Sequence, residues 1–242
     1  MSRRRLQQLD TGLWVGQGQA DRGVPKFFRK HDFSTRMTVV RLHDGGLFLH
    51  SPVRLVESLK SELEAIGPVR VIVAPNKAHH LFVGDYTKAY PSVRLYGAMG
   101  LPDKRKDVVF LGMLGDEARP EWRGDLEQRF VRGVPWLNEV AFFHPATRTL
   151  ILADLAFNVP QGRVWGVPII FKLMGAAGRF GPHRFVRWAI KDREAVRASL
   201  DVIMRWDFDR VLVAHGDIVE TGGKKALREG FSFLLGAASR SE

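Results

Sequence analysis

The chain has 242 residues, of which 45% are hydrophobic and 26% are charged, and its formal net charge is +11 at pH 7. This composition is typical of a folded globular protein and excludes a wholly disordered chain. The absence of cysteine excludes disulfides, thiolate metal ligands and a cysteine nucleophile. The basic balance favours anionic partners, but the Lys and Arg residues are spread along the chain and no nucleic-acid-binding motif accompanies them. We therefore expect a small-molecule substrate, anionic in character, and no nucleic-acid partner.

No targeting or membrane segment is apparent. The basic residues 1–5 lead into polar residues without the apolar region of a signal peptide. No stretch reaches the roughly 18 uncharged apolar residues that a membrane-spanning helix needs. These features predict a cytoplasmic protein without a transmembrane segment.

The first half of the chain alternates apolar runs with turn signals. Asp44-Gly45-Gly46 is typical of a hairpin turn, and the spacing of Leu55, Leu59, Leu63 and Ile66 places one apolar face on a helix. The pattern predicts a strand over 9–15, a hairpin of strands 37–42 and 47–50, a helix over 55–66, a strand over 69–74, a helix near 81–90 and a strand over 93–96.

The second half returns to strands before it becomes helical. Strands are predicted over 126–131, 139–143, 149–152 and 210–214, and a closing helix over 223–237. No internal repeat or linker interrupts this order. The order indicates two sheets packed together with helices outside them, in one domain covering residues 1–242.

Segment 160–193 differs from the rest of the chain because it is both apolar and basic. It carries seven basic residues and one acidic residue, Asp192, among several Trp, Phe and Ile side chains. We predict a helical segment that packs its apolar side on a sheet, with an active-site lid or a homodimer interface as alternatives.

Three apolar, strand-like runs end in side chains that can bind a metal. The first is followed by His79 and His80, the second by Asp154 and the third by His215. Groups at strand ends are held by a rigid sheet and still face a cleft. Three imidazoles and a carboxylate suit a divalent ion such as Zn²⁺ or Fe²⁺ better than Mg²⁺ or Ca²⁺.

In this order, the strand ends resemble the metallo-β-lactamase superfamily, and the whole chain resembles an uncharacterised bacterial family with a divergent form of that fold. The residues that carry the resemblance are 49–53, 73–82, 151–155 and 206–216. The resemblance implies the α+β class and a four-layer αββα sandwich.

The superfamily's two-metal site is only half present. Its His-x-His-x-Asp-His motif would place Pro75 and Lys77 at the first two His positions, and its mid-chain His falls near 133–135, where this chain has none. The resemblance therefore implies one retained metal site, with zinc as the first choice and iron or manganese as alternatives. Its ligands would be His79, His80, Asp154 and His215.

We assign the remaining roles by position. Lys77 and Asp154 are the catalytic candidates, because an ammonium at position 77 would place positive charge beside Asp154 where the second ion is lost. The substrate-binding candidates are Asn76, His50 and Trp136. The first interpretation is a mononuclear metal-dependent hydrolase; the alternative is a non-catalytic binding or interaction protein with the same fold. His43 and His144 are predicted to be solvent-exposed.

Overall fold

In the computed structural model of the chain, the described residues are 5–19, 34–160 and 178–236. The larger sheet has seven strands in chain order, antiparallel from β1 to β4 and parallel from β4 to β7. Its strands are β1 (Leu6–Asp10), β2 (Leu13–Gln19), β3 (Ser34–Arg41), β4 (Leu47–His50), β5 (Val69–Ala74), β6 (Arg94–Gly97) and β7 (Gly112–Met113).

The smaller sheet has four strands in the order β11-β10-β9-β8. The strand pair β10 and β11 is parallel, and the other two pairs are antiparallel. The strands are β8 (Glu127–Phe130), β9 (Val140–His144), β10 (Thr149–Ile151) and β11 (Arg210–Leu212). The parallel pairing brings the carboxyl ends of β10 and β11 to the same edge, and these ends precede Asp154 and His215.

Seven α-helices complete the described part of the chain. They are α1 (Glu57–Ile66), α2 (Val83–Ala89), α3 (Leu101–Lys104), α4 (Arg184–Ala189), α5 (Arg193–Ile203), α6 (Gly223–Gly230) and α7 (Ser232–Leu235). The start of α5 follows from its sequence, because the Asp192 carboxylate accepts a hydrogen bond from the Ala195 amide at 2.9 Å. Its buried residues Val196, Leu200 and Ile203 recur at helical spacing on one face.

Three buried apolar clusters separate four layers. The central cluster joins the two sheets through residues such as Phe48 and Val73 on one side and Phe142 and Ile151 on the other. A second cluster lies between the seven-stranded sheet and helices α1 and α2, and a third lies between the four-stranded sheet and helices α5, α6 and α7. The predicted αββα sandwich of the α+β class is therefore confirmed.

Most predicted elements are present within one or two residues of their expected ends. The predicted strand over 9–15 is instead a hairpin of β1 and β2 that turns at Gly12, which has a φ of +77°. The closing helix is interrupted at Phe231, so it forms α6 and α7. The short elements α3 and β7 were not predicted, because each is too brief to show a periodic pattern.

The described part of segment 160–193 includes helical structure. Residues 161–177 lie outside the described residues, and the remainder contains α4 and the start of α5. Helix α4 exposes Trp188 and buries Val186 and Ala189, so its apolar side does pack inward. None of the helices in the described ranges is both long and apolar enough to span a membrane.

Candidate metal centre

Three ligand-capable side chains from three separate strand ends converge on one point. The His79 Nε2 atom lies 3.1 Å from Asp154 Oδ1 and 3.3 Å from His215 Nε2, and His215 Nε2 lies 3.2 Å from Asp154 Oδ1. The three residues are the only group of at least three His, Cys, Asp or Glu side chains with metal-ligand spacing in the described part of the chain. Each side chain is about nine-tenths buried.

The two sheets supply this group jointly. His79 lies in the loop after β5 of the larger sheet, whereas Asp154 and His215 follow β10 and β11 of the smaller sheet. The backbone at His215 is held by the next residue, because Gly216 has a φ of +96° and a Cβ there would lie 2.1 Å from the Asn158 carbonyl oxygen. Only glycine fits this close approach.

Hydrogen bonds at the far side of each imidazole orient its inward nitrogen. His215 Nδ1 lies 2.9 Å from the Ser34 carbonyl oxygen, which can only accept, so Nδ1 carries the proton and the neutral ring has its lone pair on Nε2. His79 Nδ1 lies 2.5 Å from Ser51 Oγ, so the same tautomer is available to it. Both lone pairs then face Asp154, as metal binding requires.

Ser51 adopts an unusual backbone conformation. Its φ is +56°, in the left-handed region that L-amino acids enter at a cost, and it is 2% exposed. The Ser51 amide donates to the Val73 carbonyl oxygen at 3.1 Å, which fixes the chain where it leaves β4. Strain of this kind clusters at functional sites, where the surrounding structure maintains it. Here it directs the hydroxyl at His79.

Glu139 organises the loop that carries Asp154. Its carboxylate is 1% exposed and accepts hydrogen bonds from the amides of Ala153, Asp154 and Leu155 at 2.8, 2.7 and 3.0 Å. Burial and the neighbouring Asp154 carboxylate raise the pKa of Glu139 to about 7. The three backbone amides satisfy the hydrogen-bonding capacity of the Glu139 carboxylate. Because the side chain is buried, water cannot replace these donors.

Asn76 connects this loop to the loop that carries His79. Its amide nitrogen donates to Glu139 Oε2 at 2.8 Å and to Asp154 Oδ2 at 3.1 Å. Its amide oxygen accepts from the backbone amides of Ala78 and His79, both at 2.8 Å. Asn76 was predicted to bind substrate, but all of these partners are protein groups and the residue is fully buried. The structure therefore gives it a positioning role.

The electrostatics of the group favour an ionised carboxylate. Burial alone would raise the pKa of Asp154, but His79 and His215 outweigh it and hold this pKa well below its usual value. Burial alone would lower the pKa of His79, but Asp154 reverses the effect and raises it. The ionised carboxylate thus stabilises positive charge at the point between the three groups, whether as a proton on His79 or as a metal ion.

A divalent metal ion fits this arrangement. A tetrahedral Zn²⁺ site with bonds of about 2.0–2.1 Å separates neighbouring ligand atoms by about 3.3–3.4 Å. The three measured separations, 3.1 to 3.3 Å, are close to that value. Three protein ligands with a fourth position open are the arrangement found in catalytic zinc sites.

His80 and Lys77 do not join the group. His80 Nδ1 lies 3.0 Å from Arg105 Nη1, and a guanidinium can only donate, so this nitrogen accepts. Burial, with Lys104 and Arg105 nearby, lowers the pKa of His80 to about 4. The Lys77 ammonium donates to the Pro135 carbonyl oxygen at 2.9 Å and is not beside Asp154. The nitrogen donor beside Asp154 belongs to Asn76.

Of the other histidine and tryptophan positions discussed above, some are buried in the interior and some are exposed on the surface. His50 is 1% exposed between the two sheets, with its ring 5.5 Å from that of Phe142, so it has no access to a substrate. Burial lowers its pKa to about 3. Trp136 is 53% exposed, and its ring lies edge to face with that of Phe185, with 4.8 Å between the ring centroids. His43 is exposed as predicted, but the prediction for His144 is wrong, because that side chain is buried.

Sequence reasoning missed Ser51, Glu139 and Arg36. Arg36, on β3, donates to the carbonyl oxygens of Val213 and Gly216 on either side of His215. The available signal was a charged residue in or next to a predicted strand: Arg36 lies between Thr35 and Met37 on β3, and Glu139 precedes the apolar run of β9. The signal was not specific, because a strand pattern does not show what a buried charge contacts.

Comparison with known protein families identifies the family to which the chain belongs. The profile of a domain of unknown function, DUF4336, matches residues 30–177, which is more than half of the chain. The chain belongs to the DUF4336 family. A search of curated protein sequences gave no match. Asn76, His79, Glu139 and Asp154 lie within the DUF4336 region, whereas His215 lies beyond it.

Solved structures similar to this DUF4336 protein include several metallo-β-lactamases. The crystal structure of DIM-1 metallo-β-lactamase matches with a TM-score of 0.62 at 13% identity, over 96% of this chain and 94% of that chain. A metallo-β-lactamase from Pontibacter korlensis matches with a TM-score of 0.60 at 13% identity, over 96% and 99%. FIM-1 from Pseudomonas aeruginosa, in its mono-zinc form, matches with a TM-score of 0.61 at 12% identity, over 95% and 92%. At these identities the likeness establishes the metallo-β-lactamase fold alone.

Proposed function

We propose that the protein is a mononuclear metal-dependent hydrolase whose single metal ion is held by His79, Asp154 and His215. One observation carries the proposal: three ligand atoms from three strand ends meet at 3.1 to 3.3 Å from one another. The buried Asp154 carboxylate needs positive charge beside it, which a metal ion between the three groups would supply in place of a proton on His79. The proposal reduces the four predicted ligands to three.

Zinc is the first choice of metal. Two imidazoles and one carboxylate form a ligand set of catalytic zinc sites, and iron or manganese would also accept them. The described residues contain one such group and no second. This agrees with the interpretation that the second metal site of the superfamily's His-x-His-x-Asp-His pattern is lost. The fold neighbour FIM-1 was itself solved in a mono-zinc form.

The chain's own residues would hold the site in a reactive geometry. A bound divalent ion supplies a Lewis acid that lowers the pKa of water toward neutrality. Ser34 and Ser51 hold the two imidazoles from behind, and Glu139 holds the backbone of the Asp154 loop. The amide nitrogen of Asn76 binds Asp154 Oδ2, which leaves Oδ1 directed at the imidazoles. Such support commonly sets metal affinity and activity.

A second candidate function arises from the chain of hydrogen bonds Ser51, His79 and Asp154, which are the three residue types of a serine hydrolase. The bond from Ser51 Oγ to His79 Nδ1 and that from His79 Nε2 to Asp154 Oδ1 connect them. A nucleophile must reach its substrate, however, and Ser51 is 2% exposed. We therefore assign Ser51 to positioning His79. The other alternative, a non-catalytic binding protein, is favoured by the loss of the second ligand set.

Metal analysis of the purified protein tests the proposal. We expect close to one equivalent of zinc, iron or manganese, and we expect His79→Ala, Asp154→Ala and His215→Ala each to remove it. His80→Gln is the matched control, because His80 is next to a ligand in sequence but does not join the group. Protein that contains no metal and takes up none on incubation would contradict the proposal.

An activity measurement then separates the hydrolase from the binding protein. Chromogenic carboxylic esters, phosphate esters and β-lactams are assayed with metal-loaded and chelator-treated protein. Turnover of any of these that follows the metal content supports a hydrolase. Full metal content without turnover in the whole panel would favour the binding protein.

A further inference from the structure

A cavity of about 680 Å³ lies on the other side of the loop that carries His79. Its walls come from this loop, from helix α3 and from the loop before β9. Five of its lining residues carry polar or aromatic side chains, namely Lys77, His80, Asp103, Lys104 and Trp136. None of the three proposed metal ligands lines this cavity, so the cavity is distinct from the metal centre.

The loop of residues 76–80 presents two faces. Asn76 and His79 point into the ligand group, as their hydrogen bonds show. Lys77, Ala78 and His80 line the cavity instead. The cavity and the metal centre therefore share one short loop as a wall, and a molecule in the cavity would lie beside the centre.

The cavity wall is rich in hydrogen-bond donors. Lys77 Nζ donates to the Pro135 carbonyl oxygen at 2.9 Å, and Lys104 Nζ donates to the Lys77 carbonyl oxygen at 2.9 Å. Each ammonium has three donors, so these bonds fix its position and leave two protons for a ligand. His80 also lines the cavity, and its Nδ1 accepts from Arg105.

Negative charge on the wall is limited to one residue. Asp103 is the only carboxylate among the lining residues, its side chain is 89% exposed, and it lies 3.5 Å from Lys106. Trp136 contributes an exposed aromatic surface that is fixed by its contact with Phe185. The wall thus combines two fixed cations with one aromatic face.

We infer that this cavity is the binding subsite for an anionic group, phosphate or carboxylate, on a substrate whose adjoining part is aromatic or otherwise apolar. The two ammonium groups would bind the anion, and Trp136 would contact the apolar part. Only the identification of the bound molecule as a substrate rests on the proposed function. The binding of an anion does not depend on the metal.

Anion binding is tested with the full chain, both chelator-treated and zinc-loaded, at one ionic strength. Inorganic phosphate, phenyl phosphate and benzoate are the probes, and tryptophan fluorescence is the measurement, because Trp136 lines the cavity. We expect saturable quenching by phenyl phosphate or benzoate that is lost in Trp136→Phe. We expect Lys77→Met and Lys104→Met each to weaken binding about tenfold, as for the loss of one charge-assisted hydrogen bond.

Lys225→Met is the matched control. Lys225 lies on α6 with its side chain 82% exposed and is not among the lining residues, so this variant removes one positive charge without changing the cavity wall. Equal weakening in all three lysine variants would mean that net charge alone attracts the anion, and it would overturn the inference, as would the absence of saturable binding. Lys104→Met keeps the test open if Lys77→Met fails to fold. Protein that takes up no metal on incubation but still binds the probes in this way would refute the proposed hydrolase and leave the subsite standing.

Discussion

At the scale of single residues, Ser51 adopts an unfavourable left-handed backbone conformation and its hydroxyl contacts the metal-ligand candidate His79. We predict that Ser51→Ala lowers metal affinity by about 10- to 100-fold, the usual effect of removing a partner that orients a metal ligand. Competition with a zinc chelator measures this affinity. Ser51→Gly should lose metal affinity to the same extent, because it also lacks the hydroxyl that contacts His79.

The same two variants should differ in stability. Glycine enters the left-handed region at no steric cost, whereas alanine retains a cost of roughly 1 kcal/mol at a φ of +56°. Chemical denaturation of the metal-free proteins should therefore show Ser51→Gly to be the more stable. Loss of turnover in both variants at full metal occupancy would contradict a positioning role and favour Ser51 as a nucleophile.

Glu139 is the second residue whose role is set by its partners. Glu139→Gln puts an amide nitrogen, which can only donate, where a carboxylate oxygen now accepts from backbone amides. Since a buried donor left without an acceptor costs about 1–3 kcal/mol, we predict a loss of at least that size in the free energy of unfolding. Urea denaturation measures it. Glu127→Gln is the control, because Glu127 is exposed on β8; an equal loss in both variants would contradict the assignment.

At the scale of elements, strand β3 of the larger sheet fixes the ligand loop of the smaller one. Arg36 binds two carbonyl oxygens around His215, and the Ser34 carbonyl oxygen binds the His215 ring itself. We predict that Arg36→Met lowers both the free energy of unfolding, by about 2–4 kcal/mol, and the affinity for zinc, because one buried and one partly buried carbonyl group lose a charged donor.

Arg41 provides a matched control on the same strand. It also donates to a backbone carbonyl oxygen, that of Ile66, but it is exposed. Arg41→Met should therefore change the free energy of unfolding by less than about 1 kcal/mol and leave zinc affinity unchanged. Zinc affinity that stays at the wild-type level in Arg36→Met would show that β3 does not position His215.

The elements were largely predictable because their signals are local. The strands near 69–74 and 140–144 have β-branched or aromatic runs that end at a turn, and helix α1 shows its buried face in the spacing of Leu59 and Leu63. Hydrophobic period alone identifies such segments. The short elements α3 and β7 are set by tertiary contacts instead, and no local pattern marks them.

The candidate site was predictable only in outline. His79, Asp154 and His215 were found because each follows a strand, which is a local feature. The orientation of neighbouring side chains is not local: His79 and His80 are adjacent in sequence, yet the former points to Asp154 and the latter to Arg105. The Asn76 side chain fixes the orientation of His79, because its amide oxygen accepts a hydrogen bond from the His79 backbone amide. This hydrogen bond forms only in the folded loop.

At the scale of the whole molecule, histidines buried in a neutral form make stability depend on pH. Burial lowers the pKa of His50 to about 3 and also lowers the pKa of His144. The unfolded chain takes up protons at these rings near pH 6.5, but the folded chain does not. Their stabilising contribution is therefore complete above about pH 6.5 and is lost as the pH falls toward the folded pKa values.

The variant His50→Leu tests this linkage, because it removes one such group from between the sheets. We predict a shallower loss of unfolding free energy between pH 6 and pH 4, by up to about 1.4 kcal/mol per pH unit. Urea denaturation at several pH values measures the slope. The control is His43→Leu, since His43 is exposed and its hydrogen bond to Asp125 raises its pKa, so its removal should not flatten the slope. Parallel curves for His50→Leu and wild type would refute the linkage.

The metal centre should also stabilise the molecule as a whole, because its three ligands join the ends of strands in both sheets. A ligand that binds only the folded state at about 100 times its dissociation constant adds about 2.7 kcal/mol. For a chain of this size we therefore expect zinc to raise Tm by about 5–10 °C. Differential scanning calorimetry with and without zinc measures the shift, which should vanish in His215→Ala and persist in His80→Gln. A shift that vanishes in His80→Gln as well would restore the four-ligand site implied by the family resemblance, because it would show that His80 leaves Arg105 to bind the ion.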